Sequence, residues 1–484
     1  MALYSIFHTM RKTFTPYCLP RKALCLLLSW ALLTAPLLHP SVALAWGAFT
    51  HKDEKELGDK FNALIRSRMP IVQDTEIVDY VTGVVNRLAA NLPPQPFPFK
   101  ASVLRHNAVN AFAIPGGYIF IHTGLILAMN NESEVAGVIA HEMAHVTQRH
   151  IASRIENSQY ISILSLIGAL AGAFLGGQGG SAAMVGSMAA GQAAMLNYSR
   201  TDEREADQVG MNFLTQAGYP AQGMVGAFEV LSRRQWLLGG DIPSYLSTHP
   251  DLQERVRDMG VRVSRLAPAK QSRQDDNSRF LRVQALIRAR YADPQTAQQA
   301  FARQLEGPNR CLALMGMGVL CSRRNEINDA TRFFDQALTC SPDDTIIMRE
   351  AGRFHYLKGD KNRGFGLLRQ TVQRNSNDVL ALFYYARCLG DVGSTDEAID
   401  YARQVLRKVP DDSEVHDLLA RLYGAKRQLF SAHLHMAYSG LYANNERKTQ
   451  QNLDKAKGLV KDGTQKSQLE RFEKLLKERK EYLK

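Results

Sequence analysis

The segment His141-Glu142-Met143-Ala144-His145 combines the residue types that bind and use a catalytic metal ion. On a helix, residues four apart share one face, so both imidazoles can reach one metal. Glu142 then lies beside them, within reach of a water that the metal activates. A catalytic zinc site needs three protein ligands and an open position for water. A third ligand is therefore expected downstream, on another element.

A helix is predicted where these residues need one. The segment Asn131-Glu132-Ser133-Glu134 has the pattern of a helix N-cap followed by its capping-box acid. Val135, Val138 and Ile139 then form an apolar stripe that leads into the two histidines. The alternative, two histidines on a solvated helix surface, does not suit so apolar a helix.

A charged segment beginning at Ser199 offers the third ligand. Ser199 and Asp202 have the spacing of a helix cap. Glu203 and Asp207 are one turn apart on the helix that follows. Glu203 can therefore bind the metal, while Asp207 accepts the second ring N–H of a ligand histidine. Glu205 is expected to point elsewhere. Without the two histidines, this charged helix would be interpreted as a solvated face.

HExxH followed by ExxAD resembles the pattern of the HtpX-type and CAAX-prenyl-protease-type zinc endopeptidases. The resemblance covers Trp46 to Arg255. It implies an α+β, mostly helical fold, a gluzincin-type metalloprotease domain with a small sheet. It also implies one Zn²⁺ per chain, with Glu142 as the catalytic acid/base and three ligands, His141, His145 and Glu203.

Two residues further along are candidates for controlling the reaction. By position, Arg255 and His249 can stabilise a developing oxyanion. Because Pro250 favours an extended conformation at the residue before it, His249 is expected on a loop. There it can donate to the oxyanion, or bind the metal as a regulatory fourth ligand that makes the resting enzyme latent. A surface loop histidine without a role is the remaining alternative.

A strand-like segment lies upstream of the histidines, from Asn110 to Gly117. The segment Phe112 to Ile121 is interpreted in two ways. It can be an edge strand on which an extended substrate pairs its backbone, or a core strand with Pro115-Gly116-Gly117 as its turn. Under the first interpretation the substrate strand consists of Asn110, Phe112, Ala113, Pro115 and Gly116.

From Asn277 onward the sequence predicts helix after helix with a period of about 34 residues, typical of tetratricopeptide repeats. Units beginning at Cys311, Thr345 and Val379 keep small residues and proline in register, whereas those at Asn277 and Ser413 match more loosely. We predict four to five repeats and a basic terminal helix ending at Lys484, in an all-α solenoid over residues 277–484. Residues 267–276 are the predicted linker from the protease domain, residues 46–266.

The N-terminus predicts export. Basic residues precede an apolar run from Ala23 to Leu38, and Ala43-Leu44-Ala45 gives a cleavage pattern, so residues 1–45 are interpreted as a cleaved signal peptide. A membrane anchor is the alternative, but the run is short of the roughly 20 residues that span a bilayer. The nearly uncharged segment 160–195 predicts two apolar helices, which form a lid, a packed hairpin or a peripheral membrane contact.

Composition limits the class of protein. The chain has 484 residues, 45% hydrophobic and 22% charged, which excludes a disordered chain. Four of its twelve net positive charges lie in the first 45 residues, which hold no acid, and the remaining +8 does not favour nucleic acid. Buried free thiols are the preferred interpretation of the mature cysteines, although three pairings are open. These are Cys311, Cys321, Cys340 and Cys388.

The fusion to repeats behind an export signal resembles the periplasmic branch of the family, the β-barrel assembly-enhancing proteases. This resemblance implies a periplasmic zinc endopeptidase in outer-membrane protein quality control. Its substrates would be unfolded or misassembled outer-membrane proteins, and its partner, through the repeats, the β-barrel assembly machinery. The alternative is a periplasmic chaperone or scaffold that uses the repeats, with a latent or vestigial protease site.

Overall fold

The structure, a computed structural model, describes residues 49–157, 198–237, 245, 249–265, 275 and 277–483. The predicted signal peptide, the apolar segment 160–195 and most of the predicted linker 267–276 lie outside the described residues. In the described part, the mostly helical α+β fold with a small sheet is confirmed. None of the helices there combines the length and the hydrophobicity needed to cross a membrane.

The sheet has three short strands, and its edge lies beside the predicted metal site. The central strand, β3 (Tyr118–His122), pairs in parallel with β1 (Lys100–Leu104) and antiparallel with β2 (Ala111–Ile114). A two-glycine turn joins β2 to β3, and Gly116 and Gly117 both have φ of +82°, a conformation that strongly favours glycine.

Helices enclose the sheet, and one of them, α4, is buried along almost its whole length. Helix α4 packs against β2, α6 and α7, so the HExxH segment lies in the interior of this part of the molecule. The helices of the predicted protease domain, called the protease part below, are α1 His51–Arg68, α2 Thr75–Ala89, α3 Thr123–Ala128, α4 Glu132–Thr147, α5 His150–Asn157, α6 Arg200–Gln216, α7 Gln222–Leu237 and α8 Leu252–Arg265.

Five helix pairs follow, and their first helices begin within one residue of the predicted unit starts. Gly318 shows why small residues recur: a Cβ there would come within 3.0 Å of the Phe334 ring. The pairs are α9 Asn277–Tyr291 with α10 Pro294–Gln304, α11 Arg310–Arg323 with α12 Ile327–Cys340, α13 Thr345–Lys358 with α14 Lys361–Arg374, α15 Val379–Asp391 with α16 Thr395–Lys408, and α17 Ser413–Ala425 with α18 Leu429–Tyr442.

A sixth pair follows instead of the single terminal helix that was predicted, α19 Glu446–Lys457 and α20 Gly463–Leu483. Helix α19 was missed because its sequence is mostly polar, although Leu453 and Ala456 are buried on its apolar face. Helix α20 packs back against α1, while α9 packs against α2 and α3. The repeats therefore touch the protease part at both ends.

The protease part and the first repeats share one hydrophobic core, which runs from Val72 to Phe354. The amide of Gln284 adds a polar link, donating to the carbonyl oxygens of Ile126 and Met129, each at 2.8 Å. Asn277 accepts from the backbone N–H of Glu132 at 3.3 Å, at the start of α4. The first repeat helix thus contacts the helix that carries the histidines.

The preference for free cysteines was wrong for one pair. Cys311 and Cys340 form a disulfide, with Cα atoms 5.5 Å apart. The first turn of one helix and the last turn of the next meet in an antiparallel helix pair, which brings these two residues together. Cys321 and Cys388 are free and buried, as expected.

Candidate active site

Helix α4 carries three residues of the site on an ordered, buried turn. As predicted, the side chain of Asn131 caps the helix, accepting from the backbone N–H of Glu134 at 2.9 Å. The Glu134 carboxylate accepts from the backbone N–H of Asn130 at 2.6 Å. Both His141 and Glu142 are fully buried, so no solvated helix face exists here.

Helix α6 crosses α4 closely enough to bring its acids to the histidines. Its N-terminus has the predicted cap, a capping box formed by Ser199 and Asp202. Gly210 permits the crossing, because a Cβ at this position would lie 3.0 Å from the carbonyl oxygen of Ala140 and 3.0 Å from the Cα of His141. The acid one turn into this helix, Glu203, therefore faces the histidine pair.

Four potential ligand groups converge. His141, His145, Glu203 and His249 each offer an atom within 4.8 Å of the others, and all four are buried. The Nε2 atoms of His141 and His145 are 3.0 Å apart, and Nδ1 of His249 lies 3.3 Å from Nε2 of His141. Oε1 of Glu203 lies 2.8 Å from Nδ1 of His249 and 3.5 Å from Nε2 of His145. Three imidazole nitrogens and a carboxylate around one point suit a divalent cation such as Zn²⁺.

Arg255 lies behind the carboxylates. Its guanidinium donates to both oxygens of Asp207, with distances of 2.8 Å from Nε and 2.6 Å from Nη2, and its Nη1 contacts Glu203. Asp207 in turn lies 3.1 Å from Nδ1 of His141, the nitrogen facing away from the cluster. These contacts fit a residue that holds Glu203 and Asp207 in position; the oxyanion role of Arg255 stays a prediction.

The predicted substrate strand borders the site. Strand β2 is at the edge of the sheet, and all four of its residues are buried. The backbone N–H of Ala113 faces the Glu142 carboxylate. Asn110 and Phe112 pair with His122 and Phe120 on β3, while Pro115 and Gly116 begin the turn. Strand β2 therefore has one feature of each interpretation, the edge position that substrate pairing requires and the burial that is typical of a core strand. Substrate pairing stays a prediction.

Sequence comparisons agree with this geometry. Residues 73–262 match the profile of Peptidase family M48, and residues 355–422 match a tetratricopeptide repeat. The metalloprotease YcaL of Escherichia coli (strain K12) is 31% identical over 182 residues, which are 37% of this chain and 68% of YcaL. The chain belongs to peptidase family M48. The resemblance drawn from HExxH and ExxAD is thereby confirmed.

Other relatives of this M48 protein share both parts of the chain. A putative beta-barrel assembly-enhancing protease of Vibrio cholerae is 33% identical over 294 residues, 58% of this chain and 60% of the relative. The beta-barrel assembly-enhancing protease of Escherichia coli (strain K12) is 27% identical over 379 residues, 77% of each chain. The match thus spans less than two thirds of the Vibrio cholerae protein.

Burial and charge set the protonation of the M48 site. Burial raises the pKa of Glu142 to about 7, within the range of a base that works near neutral pH. Burial lowers the pKa of His141 and that of His145, which favours the neutral imidazoles that metals require. Burial also opposes ionisation of Glu203, but His249 and Arg255 outweigh it and hold the pKa of Glu203 well below its usual range.

Several residues around the M48 site were missed from the sequence. Nδ1 of His150 lies 2.8 Å from Nδ1 of His145, and Nε2 of His150 lies 3.4 Å from Glu205. Glu205 therefore contacts a histidine beside the site. Tyr198 stacks on the His145 ring with centroids 3.7 Å apart, and Tyr245 stacks on His249 at 4.3 Å. Both tyrosines flank segments singled out in the sequence, but aromatic residues there gave no periodic signal.

Proposed function

We propose that this M48 protein is a zinc endopeptidase, with His141, His145 and Glu203 as ligands and Glu142 as the general acid/base. The convergence of two α4 imidazoles with the Glu203 carboxylate, beside a buried Glu142, is the observation that carries the proposal. A bound zinc ion would supply Lewis acidity and activate a water nucleophile. Two imidazoles and a carboxylate suit zinc, with one ion per chain.

The chain's own residues would divide the remaining work. Glu142 would accept a proton from the attacking water and donate it to the leaving amine, for which its raised pKa is suitable. Asp207 would fix the tautomer of His141 through Nδ1, and Arg255 would hold Asp207 and Glu203. The edge strand around Ala113 would pair with an extended substrate.

His249 would keep the resting site latent. Its Nδ1 lies 2.8 Å from Glu203 and its Nε2 lies 3.6 Å from Glu142, between a proposed ligand and the proposed acid/base, where it would block the approach of a substrate carbonyl. As a fourth protein ligand it would close the site, and movement of its loop would open it. An oxyanion contact is the alternative role for the same residue.

The relatives named beta-barrel assembly-enhancing protease support a proposal for the physiological role. We infer an exported, periplasmic protein with a signal peptide over 1–45, a protease domain over 46–266, a linker over 267–276 and repeats over 277–484. It would degrade misassembled outer-membrane proteins and assist their assembly, with the repeats contacting the β-barrel assembly machinery. A chaperone or scaffold with a latent site is the second candidate, favoured by the position of His249.

Metal dependence tests the proposed activity. The protein lacking residues 1–45 should contain one zinc per chain by elemental analysis and should cleave an unfolded protein such as reduced casein. Chelation with 1,10-phenanthroline should abolish cleavage, and added Zn²⁺ should restore it. Cleavage that persists after complete removal of zinc would contradict the proposal.

A further inference from the structure

Each of the two α4 histidines has one ring nitrogen in the ligand cluster and turns the other toward a neighbour outside it. In His141 the second nitrogen is Nδ1, which lies 3.1 Å from Asp207. In His145 it is again Nδ1, but the neighbour is an imidazole, because Nδ1 of His150 lies 2.8 Å away. Asp207 already has a proposed role toward its histidine. His150 is as close to the other histidine and has no assigned role.

His150 belongs to the interior of the site but not to the group of potential ligands. Its side chain is only 5% exposed. It contacts His145 through Nδ1, whereas the nitrogen that His145 turns to the cluster is Nε2, 3.0 Å from Nε2 of His141. The four ligand groups that converge do not include His150. It is therefore placed to act on a ligand and not to bind the same ion.

The number of hydrogens fixes the direction of the contact between His145 and His150. Two imidazole nitrogens 2.8 Å apart form a hydrogen bond when one of them carries the hydrogen and the other accepts it. A neutral histidine that binds a metal through Nε2 carries its hydrogen on Nδ1. Nδ1 of His145 is then the donor, so Nδ1 of His150 has to be an unprotonated acceptor.

The second nitrogen of His150 faces a carboxylate. With Nδ1 unprotonated, a neutral His150 carries its hydrogen on Nε2. This Nε2 lies 3.4 Å from Oε2 of Glu205, which can accept that hydrogen. Glu205 therefore favours the same tautomer of His150 that a metal-bound His145 requires.

Two further contacts hold the rings in this arrangement. Tyr198 stacks on His145 with centroids 3.7 Å apart and ring planes 22° apart, which fixes the plane in which Nδ1 points. Arg149 joins α4 to α5 with φ of +55°, a conformation uncommon for residues other than glycine. Its guanidinium donates to Glu54 of α1 at 2.6 Å. The turn that places His150 beside His145 is thus anchored to another helix.

We propose that His150 is a positioning residue of the zinc site, which accepts the Nδ1 hydrogen of His145 and donates its own Nε2 hydrogen to Glu205. These two hydrogen bonds would hold His145 with an unprotonated Nε2 toward the metal and make that nitrogen a stronger ligand. This role rests on the proposed zinc site. It predicts an effect on metal affinity, which is measured without any cleavage reaction.

Zinc affinity is measured by competition with a fluorescent chelator, using the chain that lacks residues 1–45. His150→Leu removes the acceptor and should weaken zinc binding by about 10–100-fold. His150→Asn places an amide oxygen where Nδ1 lay and should keep the affinity within about threefold of wild type. His355→Leu, at a buried histidine of α13, is the matched control and should leave zinc affinity unchanged.

The wild-type protein allows a second measurement, which does not depend on how well the variants fold. In zinc-loaded protein with nitrogen-15-labelled histidine, at about pH 8, the ring nitrogen shifts should show the hydrogen of His145 on Nδ1 and that of His150 on Nε2. The spectrum of His150→Asn identifies the His150 signals. Melting temperatures of the zinc-free proteins show whether each variant folds, and if His150→Leu does not fold, the nitrogen shifts decide.

Three results would overturn this role for His150 while leaving zinc bound to the wild type. They are wild-type affinity in His150→Leu, equal losses of affinity in His150→Leu and His150→Asn, and a hydrogen on Nδ1 of His150 in the zinc-loaded protein. A wild-type protein that binds no zinc would instead overturn the proposed peptidase site, and this role with it.

Discussion

At the scale of single residues, His249 meets three groups of the site at once, His141, Glu142 and Glu203. Burial lowers its pKa, but the two carboxylates outweigh this and raise it. His249 is therefore buried inside the site and does not lie on the protein surface. The sequence singled out His249 through Pro250, but only the folded chain shows which groups His249 meets, and its role stays a prediction.

Replacing His249 with Ala should increase proteolysis or self-cleavage, because it would remove the proposed fourth ligand. Cleavage of reduced casein and zinc content should be measured together. His51→Ala, at an exposed histidine of α1, is the matched control. A large loss of activity with zinc retained would instead support the oxyanion role. Unchanged activity and zinc affinity would rule out both roles.

At the scale of elements, the close crossing of α6 over α4 sets the distance between Glu203 and the histidines. We expect Gly210→Ala to push these helices apart, lowering the free energy of unfolding by about 1–3 kcal/mol and weakening zinc binding. A Cβ at Gly83 meets nothing within 4 Å. Gly83→Ala should therefore stabilise its helix by up to about 1 kcal/mol. Equal effects of the two changes on zinc affinity would contradict this account.

In the repeats, His416 and His435 lie close together, with their Nδ1 atoms 2.9 Å apart. Burial and proximity to His416 lower the pKa of His435 to about 3. Because the unfolded chain would bind this proton more readily, we expect the free energy of unfolding to decrease as pH falls below about 6.5, by up to about 2 kcal/mol at pH 5.

His435→Phe should make this loss shallower, since the ring stacked near Tyr423 would no longer titrate. Urea unfolding at pH 7 and pH 5 measures the difference. A variant at His433, which bonds to Asn452, serves as the control. The same pH dependence in wild type and His435→Phe would exclude this pair as its source.

Local sequence patterns predicted where the helices begin, but they did not predict which residues of different elements contact one another. The 34-residue period located the starts of five repeat pairs, and the Asn131 and Ser199 caps located α4 and α6. The contacts of His150 and Tyr198 depend on tertiary packing, which no spacing in the sequence reports. The Cys311–Cys340 disulfide likewise needed the antiparallel arrangement of α11 and α12.

At the scale of the whole molecule, the protease part and the first repeats cannot be separated without exposing apolar surface. Phe280 and Leu286 of α9 belong to the same core as Tyr80 of α2. A chain ending at Leu266 is therefore expected to unfold at lower temperature or to aggregate, as measured by calorimetry and size-exclusion chromatography. A monomer with the melting temperature of the full chain would contradict the importance of the shared core.

The change Glu142→Gln tests the central claim most directly, because it removes the proton acceptor and leaves every proposed ligand in place. Cleavage of reduced casein should fall by about 10²–10⁴-fold, while elemental analysis still finds one zinc per chain. Undiminished cleavage by this variant would contradict the assignment of this site as the peptidase centre.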